Sequence, residues 1–377
     1  MQKLKIINFI DGLIEASALV VIPLMLVARN VDVSSIGLVL AVSPLVFLFL
    51  RVVFASISDL VGLKNFFILN ALSNIVSAAS YLYASSPLGY SVGKLFEGVN
   101  ASAIWAVNRT AVVQISKERD PSIDTARING IRIIAFFVAT VGIGYLLQLF
   151  SFEHALWVLA LLGLLNLAIS LSLKERPFTQ NKLNLRRIAS QLDVRKKPKF
   201  LIYTSIVMSL PPLAGSALFR LALPLYLQSQ GFDYIEIGLL IGVQWLARGL
   251  TLFSAIKRLS MSQVALSGSV LLALPLIALP FAPPHIILLL MIVFGIGLGM
   301  TEIMWEKNVF SATKGSKVIS TDIAIVQTLP NLASFLSLAI GGFIISWFGY
   351  WPIFLFSAVF YSAYLVLGQK LLHLPSK

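Results

Sequence analysis

The sequence predicts an all-α integral membrane protein with twelve transmembrane helices, arranged as two parallel-repeat six-helix bundles around a central cavity. Composition is the first indication, since 58% of the residues are hydrophobic and only 12% are charged, whereas soluble domains carry about 25% charged residues. The apolar runs are also continuous over roughly twenty residues, which suits membrane helices, whereas barrel strands would alternate. Finally, the two halves of the chain resemble each other.

The 377 residues leave room for about twelve such spans with short connections. Apolar runs bounded by polar residues, Gly or Pro predict helices that begin near Ile6, Ser34, Asn65, Leu88, Asn129, Glu153, Phe200, Tyr234, Ser262, His285, Val318 and Tyr350. We therefore expect one six-helix bundle over 1–174 and a second over 200–377, joined by a linker over 175–199.

Four short matches relate the two halves. Ile22-Pro23-Leu24 recurs as Leu223-Pro224-Leu225, and the segment from Ile36-Gly37 recurs from Ile237-Gly238, both at an offset of 201 residues. Trp105 and Asn108 match Trp305 and Asn308 at an offset of 200, and Gly144 matches Gly342 at 198. Four matches in one order predict duplication of a six-helix unit. Copies with an even number of spans run in the same direction, as in parallel-repeat carriers whose site lies between the halves.

The distribution of basic residues predicts the orientation of the chain. The net charge is +13. A cytoplasmic N-terminus places on the same side Lys3, Lys5, Lys64, Lys117, Arg119, Arg127, Lys257, Arg258, Lys314, Lys317, Lys370 and Lys377, and it leaves Arg29 in an outer loop. This pattern follows the positive-inside rule. We expect a multi-pass protein of the cell membrane with both termini in the cytoplasm, and the basicity indicates topology rather than nucleic-acid binding.

The linker between the predicted bundles is strongly basic and contains an amphipathic stretch, Leu183 to Val194. Such a stretch can lie on the inner leaflet and contact anionic lipid. A solvated linker explains the same composition, so both interpretations stay open.

The connection between the second and third predicted spans carries a recognisable motif. The segment from Arg51 to Lys64 resembles the signature that follows the second helix in the major facilitator superfamily. Asp59, Gly62 and Lys64 match that pattern, whereas Ala55 stands in place of its first glycine, and Leu60 and Leu63 in place of basic residues.

This resemblance implies a cytoplasmic gate that holds the two halves together in one state and breaks in the other. Its candidate residues are Arg51, Asp59, Gly62, Lys64, Arg109 and Arg132, with either of the last two as the partner of Asp59. Gly62 permits a tight turn. The alternative is that these charges only anchor helix ends at the headgroups.

Three further segments resemble the same family. Lys94-Leu95-Phe96-Glu97-Gly98 is similar to a pattern of the fourth helix, with Lys and Glu in place of Arg and Gln. Gly142-Ile143-Gly144 resembles the end of the glycine-rich antiporter motif, although the usual Gly-Pro pair is absent. The segment from Gly341 to Gly349 has the form usual for the eleventh helix. The acidic first span resembles that of the drug/proton antiporters of this superfamily.

Acidic residues inside apolar spans are the candidate proton-coupling groups. A carboxyl group in hydrocarbon favours its neutral form, while a nearby cation favours the charged form. A carboxyl whose neighbours change between two conformations can therefore carry a proton. Asp11 and Glu15 share one helix face, as do Glu302 and Glu306. Glu15, which we expect nearer the midplane, is the leading candidate.

The cations within the spans leave several alternatives open. Lys94 and Glu97 are three residues apart, so they either pair structurally or separate when a substrate or proton binds. Arg220 and Arg248 have no acid nearby in sequence; they either meet Glu302 across the cavity or bind an anionic substrate directly.

Aromatic residues and helix breaks complete the predicted site. Trp105, Asn108, Trp245 and Trp305 are candidates for lining the cavity, although packing or lipid contact explains a membrane tryptophan equally well. Pro211-Pro212 in the seventh span and Pro330 in the eleventh predict helix breaks, because proline lacks a backbone N–H.

The leading functional prediction is a secondary transporter that works by alternating access, with proton-coupled efflux of lipophilic or cationic compounds. The alternative is uptake or facilitated diffusion of a small polar or anionic solute, and the alternative of another class is a lipid flippase. We expect a small-molecule substrate, protons as the coupling ion, lipid contact, no nucleic-acid partner and function as a monomer. No enzyme, metal or cofactor is expected, because the chain lacks cysteine and its three histidines have no metal-site spacing.

Overall fold

A computed structural model describes residues 2–115, 121–174, 197–255, 259–313 and 319–374. In the first half, the helices are α1 (Gln2–Ala28), α2 (Val33–Val61), α3 (Leu63–Tyr83), α4 (Pro87–Ile115), α5 (Pro121–Leu149) and α6 (Phe152–Leu171). The amphipathic stretch predicted from Leu183 to Val194 lies outside the described residues.

In the second half, α7 (Lys199–Ser229) and α11 (Asp322–Phe348) are interrupted spans. Their continuous neighbours are α8 (Tyr234–Ala255), α9 (Met261–Ala278), α10 (Pro284–Thr313) and α12 (Trp351–Leu372), and a short 3₁₀ turn, Leu279–Phe281, follows α9. Two helices form α11. The first, Ile319–Val326, begins three residues before the membrane span, and the second is Thr328–Phe348. Pro330 explains this break, since it has no N–H for the carbonyl of Val326.

The all-helical membrane architecture predicted from the sequence is confirmed. Within the described residues, eleven helical segments are long and apolar enough to cross a membrane. The remaining long helix is α4, whose central part carries Lys94, Glu97, Asn100 and Asn108. The helices begin within about one turn of the predicted positions, except that α5 begins at Pro121 rather than near Asn129. The early start of α5 reflects its N-terminal proline, which favours the first turn of a helix.

Both halves pack their helices in the same pattern. In the first half, α1 packs on α5 and α6, α4 packs on α2 and α3, and α3 packs on α6. In the second half, α7 packs on α11 and α12, α10 packs on α8 and α9, and α9 packs on α12. Each of these five pairings in the first half has its counterpart in the second, so the packing agrees with the duplicated six-helix unit.

Two long contacts join the halves, α2 with α11 and α5 with α8. Glycines allow the backbones to approach closely in both. A Cβ atom on Gly37 would lie 2.8 Å from Cα of Gly342, and a Cβ atom on Gly238 would lie 3.0 Å from Cα of Gly144. These four glycines are two pairs of repeat partners, so the duplication places an equivalent glycine crossing in each contact. Small residues serve this purpose in membrane helices generally.

The halves meet closely at the end of the molecule opposite the chain termini. Near the α1–α2 and α7–α8 connections, α1 contacts the π-helical turn Leu218–Ala222 and the helix Leu223–Ser229 of α7. No comparable packing joins α4 to α10 within the residues that the structure describes. The cavity between the halves extends towards the end that carries both chain termini, where Asn129, Leu252 and Gln327 line it.

Two of the described connections, one at each end, are short and locally determined. Gly62 alone separates α2 from α3 and has φ of 87°, a conformation that favours glycine. At the opposite end, Asp32 caps α2. Its carboxylate accepts hydrogen bonds from the hydroxyl of Ser34 and the backbone N–H of Ser35, and these bonds lower the pKa of Asp32 to about 2.

The glycine crossing between α5 and α8 leads to a testable prediction. In Gly144→Ala, the new Cβ would lie 2.5 Å from the carbonyl oxygen of Tyr234 and 3.2 Å from Cα of Gly238, so the helices must separate. Overpacking of this kind costs about 1–3 kcal/mol. We expect a lower melting temperature for the purified protein in detergent.

Gly142→Ala is the matched control, because a Cβ there meets no atom within 4 Å. Both substitutions gain the same helix propensity, about 1 kcal/mol. The control should therefore melt at or above the wild-type temperature. Equal melting temperatures for the two variants would contradict the close crossing.

Candidate functional site

A cavity of about 450 Å³ lies between the two halves. Its charged lining residues are Glu15, Arg51, Arg132, Arg220, Arg248, Glu302 and Glu306, and its aromatic lining residues are Phe47, Trp105, Phe136, Phe219, Trp245, Trp305 and Tyr361. A volume in this range suits a small organic molecule. Asn108, which was predicted to line the cavity, instead lies buried and exchanges hydrogen bonds of 2.9 Å with Asn8 of α1.

The centre of the first half is an arginine held between two carboxylates. The guanidinium of Arg132 donates to Oδ2 of Asp11 at 2.7 Å and to Oε2 of Glu15 at 2.5 Å. The side chain of Asp11 is 3% exposed, whereas that of Glu15 is 38% exposed. The two acids therefore share one cation but differ in access, since only Glu15 projects towards the open cavity.

Helix packing explains how this cluster forms. Asp11 and Glu15 are four residues apart and share the face of α1 that packs on α5. Gly12 permits the approach, because a Cβ there would lie 3.0 Å from Cβ of Ala135. The ring of Trp105 lies 5.1 Å from the guanidinium of Arg132, within the range of a cation–π contact. Arg132, a predicted gate residue, has its guanidinium between the two acids of α1.

Asparagine side chains surround Asp11 on its buried side. Asn70 donates to Oδ1 of Asp11 at 2.8 Å and to Oδ1 of Asn100 at 2.9 Å, and Asn166 donates to Oδ1 of Asn70 at 3.0 Å. Asn100 also donates to Asn74. The sequence interpretation missed this network, although Asn70 and Asn74 lie one turn apart in an apolar helix, a spacing that indicates a polar face.

A second ion pair lies within α4. Nζ of Lys94 donates to Oε2 of Glu97 at 2.6 Å, and the hydroxyl of Tyr81 donates to Oε1 at 2.6 Å. Lys94 is buried, with 4% of its surface exposed. Of the two alternatives left open for this pair, the structure has the paired arrangement. Tyr81 was not predicted, because nothing in the local sequence of α3 indicates a partner in α4.

The second half has its own ion pair, formed by Arg248 of α8 and Glu302 of α10. Arg248 lies 4.7 Å from the ring of Trp245. Arg248 therefore meets Glu302, which is one of the two partners that the sequence left open for it. Glu306 lies one turn beyond Glu302 on α10 and also lines the cavity. Tyr361 of α12 is buried at the same wall.

Arg220 lies where two cavities meet. It lines the large cavity and also a smaller one of about 70 Å³, which contains polar groups of Asp11, Glu15, Lys94, Glu97, Asn74 and Asn100. Arg220 belongs to the π-helical turn Leu218–Ala222 of α7, in which the N–H of Leu223 bonds to the carbonyl of Leu218. Pro224 has no N–H for the carbonyl of Arg220, which explains why the turn is widened here.

The predicted gate residues are only partly described. The side chains of Asp59 and Arg109 lie outside the described part of the structure, so the gate stays a prediction. Arg51 is buried and lies 5.2 Å from the ring of Phe47 at the cavity wall, and Lys64 lies half-buried at the start of α3. Among the described residues, no group of three or more His, Asp or Glu side chains is placed to hold a metal ion.

Solved structures share this fold at low sequence identity. A variant of the nucleoside transporter NupG matches with a TM-score of 0.79 at 15% identity, covering 98% of this chain and 99% of the other. A D-xylose-proton symporter matches with a TM-score of 0.76 at 12% identity, covering 98% and 96%. The human organic anion transporter MFSD10 (TETRAN) matches with a TM-score of 0.71 at 16% identity, covering 98% of each chain.

No curated protein is similar enough in sequence to count as a match. The family model described as Major Facilitator Superfamily does match, over residues 4–320. That match covers most of the chain, and it agrees with the repeated helix packing and with the cavity between the halves. This chain belongs to the Major Facilitator Superfamily.

Proposed function

We propose that this protein is a proton-coupled secondary transporter that moves a small organic molecule by alternating access. The observation that carries the proposal is the bridge from Arg132 to Asp11 and Glu15 inside the membrane-spanning part of the first half. One cation shared by two acids leaves one negative charge, which a proton can neutralise. The charge of such a cluster can change at little free-energy cost only if one of its acids is accessible to water.

Glu15 is the proposed site of that proton. Its side chain is 38% exposed and lines both cavities, whereas Asp11 is 3% exposed and is held by Asn70 as well as Arg132. With a proton on Glu15, Arg132 stays neutralised by Asp11 alone. The cluster is then electrically neutral, which lowers the penalty for closing it away from water.

The position of Glu15 on α1 connects the proton to the movement of the halves. The same helix contacts α7 at the closed end of the molecule. A proton that weakens the Arg132–Glu15 bond therefore changes the forces on the helix that closes that end. The proton shifts the conformational equilibrium only by its different affinity for Glu15 in the two states.

The geometry favours a polar or anionic solute over the lipophilic cation of the leading sequence prediction. Asp11, Glu15, Glu97 and Glu302 each already pair with a cation of this chain. A cationic substrate would have to displace one of those partners. The similar folds include carriers described for nucleosides, D-xylose and organic anions, so the fold does not identify the substrate class. The residues that line the cavity are the better guide to the substrate.

We also propose that the open end faces the cytoplasm. The open end carries both chain termini, and the positive-inside pattern predicts that these termini lie in the cytoplasm. The direction of net transport stays a prediction, as does the lipid-flippase alternative.

The decisive test uses purified protein in liposomes that contain a pH-sensitive dye. Under an imposed pH gradient, we expect a solute among a panel of organic anions, organic cations and sugars to move protons across the membrane. Glu15→Gln should abolish this proton movement while it retains solute exchange between equal concentrations, because the amide keeps the shape of the side chain but cannot carry the proton.

Glu236→Gln is the matched control, since Glu236 is an exposed acid at the start of α8, outside both cavities. It should couple protons like the wild type. Proton movement that persists in Glu15→Gln would refute the role of Glu15. Solute transport without proton movement in the wild type would instead favour a facilitated carrier, and lipid exchange between leaflets without solute transport would favour a flippase.

A second prediction concerns the energetics of the bridge. Arg132→Gln leaves Asp11 without its cation in a buried position, and breaking a buried pair in this way costs about 3–5 kcal/mol. We expect a clear fall in the melting temperature in detergent. The double variant Asp11→Asn with Arg132→Gln should recover part of that loss, because it removes the uncompensated charge. Additive effects of the two substitutions would contradict a direct interaction.

A further inference from the structure

Arg220 differs from the other cations of the cavity. No ion pair or hydrogen bond joins its side chain to another residue in the described part of the chain. By contrast, Arg132, Arg248 and Lys94 each have a carboxylate partner. An arginine without a bonded partner within a membrane span is costly. A cation retained at that cost indicates a function.

The surroundings of Arg220 increase the need for an anion. Arg220 and Lys94 line the same small cavity, where their like charges repel each other. The carboxylates that line the same small cavity are already engaged, since Glu97 accepts from both Lys94 and Tyr81, and Glu15 accepts from Arg132. Neither carboxylate hydrogen-bonds to Arg220, which leaves its guanidinium N–H groups available to an incoming anion.

The backbone presents Arg220 to the cavity in an unusual way. Its π-helical turn changes the direction of the side chain relative to a regular helix, and such turns are frequent at functional sites. Of the described residues that line the small cavity, Arg220 alone comes from the second half. The turn therefore places one cation of the second half against a polar pocket of the first.

Aromatic side chains form the wall next to Arg220. Phe219 precedes it in the same turn, and its ring centroid lies 6.4 Å from that of Trp245. Phe136 packs edge-on against Trp245 at 4.6 Å. Phe219, Trp245, Phe136 and Trp105 all line the large cavity. A ligand held at Arg220 by a negative group would rest its remaining surface on these rings.

We propose that Arg220 is the anion-binding residue of the substrate site, and that the substrate is a small organic anion with an aromatic or other apolar body. Arginine suits this task, since its planar guanidinium binds a carboxylate or phosphate with two parallel hydrogen bonds. This inference rests on the proposed function only in assuming that the cavity receives a transported solute. It does not require proton coupling.

The test measures equilibrium binding to the purified full-length protein in detergent, by titration calorimetry at one pH. The probes are 1-naphthoate, 1-naphthylmethanol and 1-naphthylmethylammonium, which share a ring system and differ in charge. We expect the wild type to prefer naphthoate. Arg220→Gln should bind naphthoate about tenfold or more weakly, as expected when one partner of a buried charge pair is removed. Arg220→Lys should retain an intermediate affinity.

Lys370→Gln is the control for loss of a positive charge, because Lys370 is exposed on α12 outside both cavities. It should bind naphthoate like the wild type. Arg220→Gln should also melt no lower than the wild type, since it removes a charge that lacks a partner. A lower melting temperature would indicate a structural role and overturn the proposal.

Two other results would also overturn the anion site. One is equal affinity of the wild type for the three probes, or no naphthoate binding at millimolar concentration. The other is unchanged naphthoate affinity in Arg220→Gln. Failure of proton coupling is a separate outcome: if Glu15→Gln transports protons like the wild type while Arg220→Gln loses naphthoate, the anion site stands and the proton role of Glu15 falls.

Discussion

The structure depends on the penalty for placing a charge in a bilayer. A charged side chain within a span is costly unless it has a partner inside the protein or faces a water-filled cavity, because lipid offers no partner. This requirement explains why Arg132 lies between Asp11 and Glu15, why Lys94 bonds to Glu97, and why α1 packs closely on α5. Apolar packing distinguishes the helices poorly from the lipid around them, so the ion pairs and the glycine crossings give the assembly its specificity.

The duplication explains the scaffold but not the chemistry. The glycine crossings and the tryptophans Trp105 and Trp305 occur in both halves at the repeat offsets. The charges do not: at an offset of 201 residues, Glu15 corresponds to Ser216, Arg220 to Leu19 and Arg248 to Phe47. The symmetric part of the molecule therefore provides two equivalent contacts between the halves, and the asymmetric charges determine what the cavity binds.

Sequence reasoning could predict what depends on neighbours along the chain. Apolar runs gave the spans, Pro330 gave the break in α11, and the spacing of Lys94 and Glu97 allowed their pairing. Partners on different helices could not be predicted in the same way. Arg132 was expected as one of two possible partners of Asp59 at the gate, and the packing of α5 on α1 places it beside two acids. Tyr81 and the asparagine network depend on packing of the same kind.

The location of the charge pairs suggests how the halves communicate. The pairs of Arg132, Lys94 and Arg248 each lie within one half, so rocking about the glycine contacts need not break them. Arg220 is different, because it belongs to the second half and faces a polar pocket of the first. Whatever neutralises Arg220 therefore acts on both halves at once. A bound anion there would contact α7, which packs on α1 at the closed end, and it would lie beside Glu15. The solute and the proton would then influence the same contact between α1 and α7.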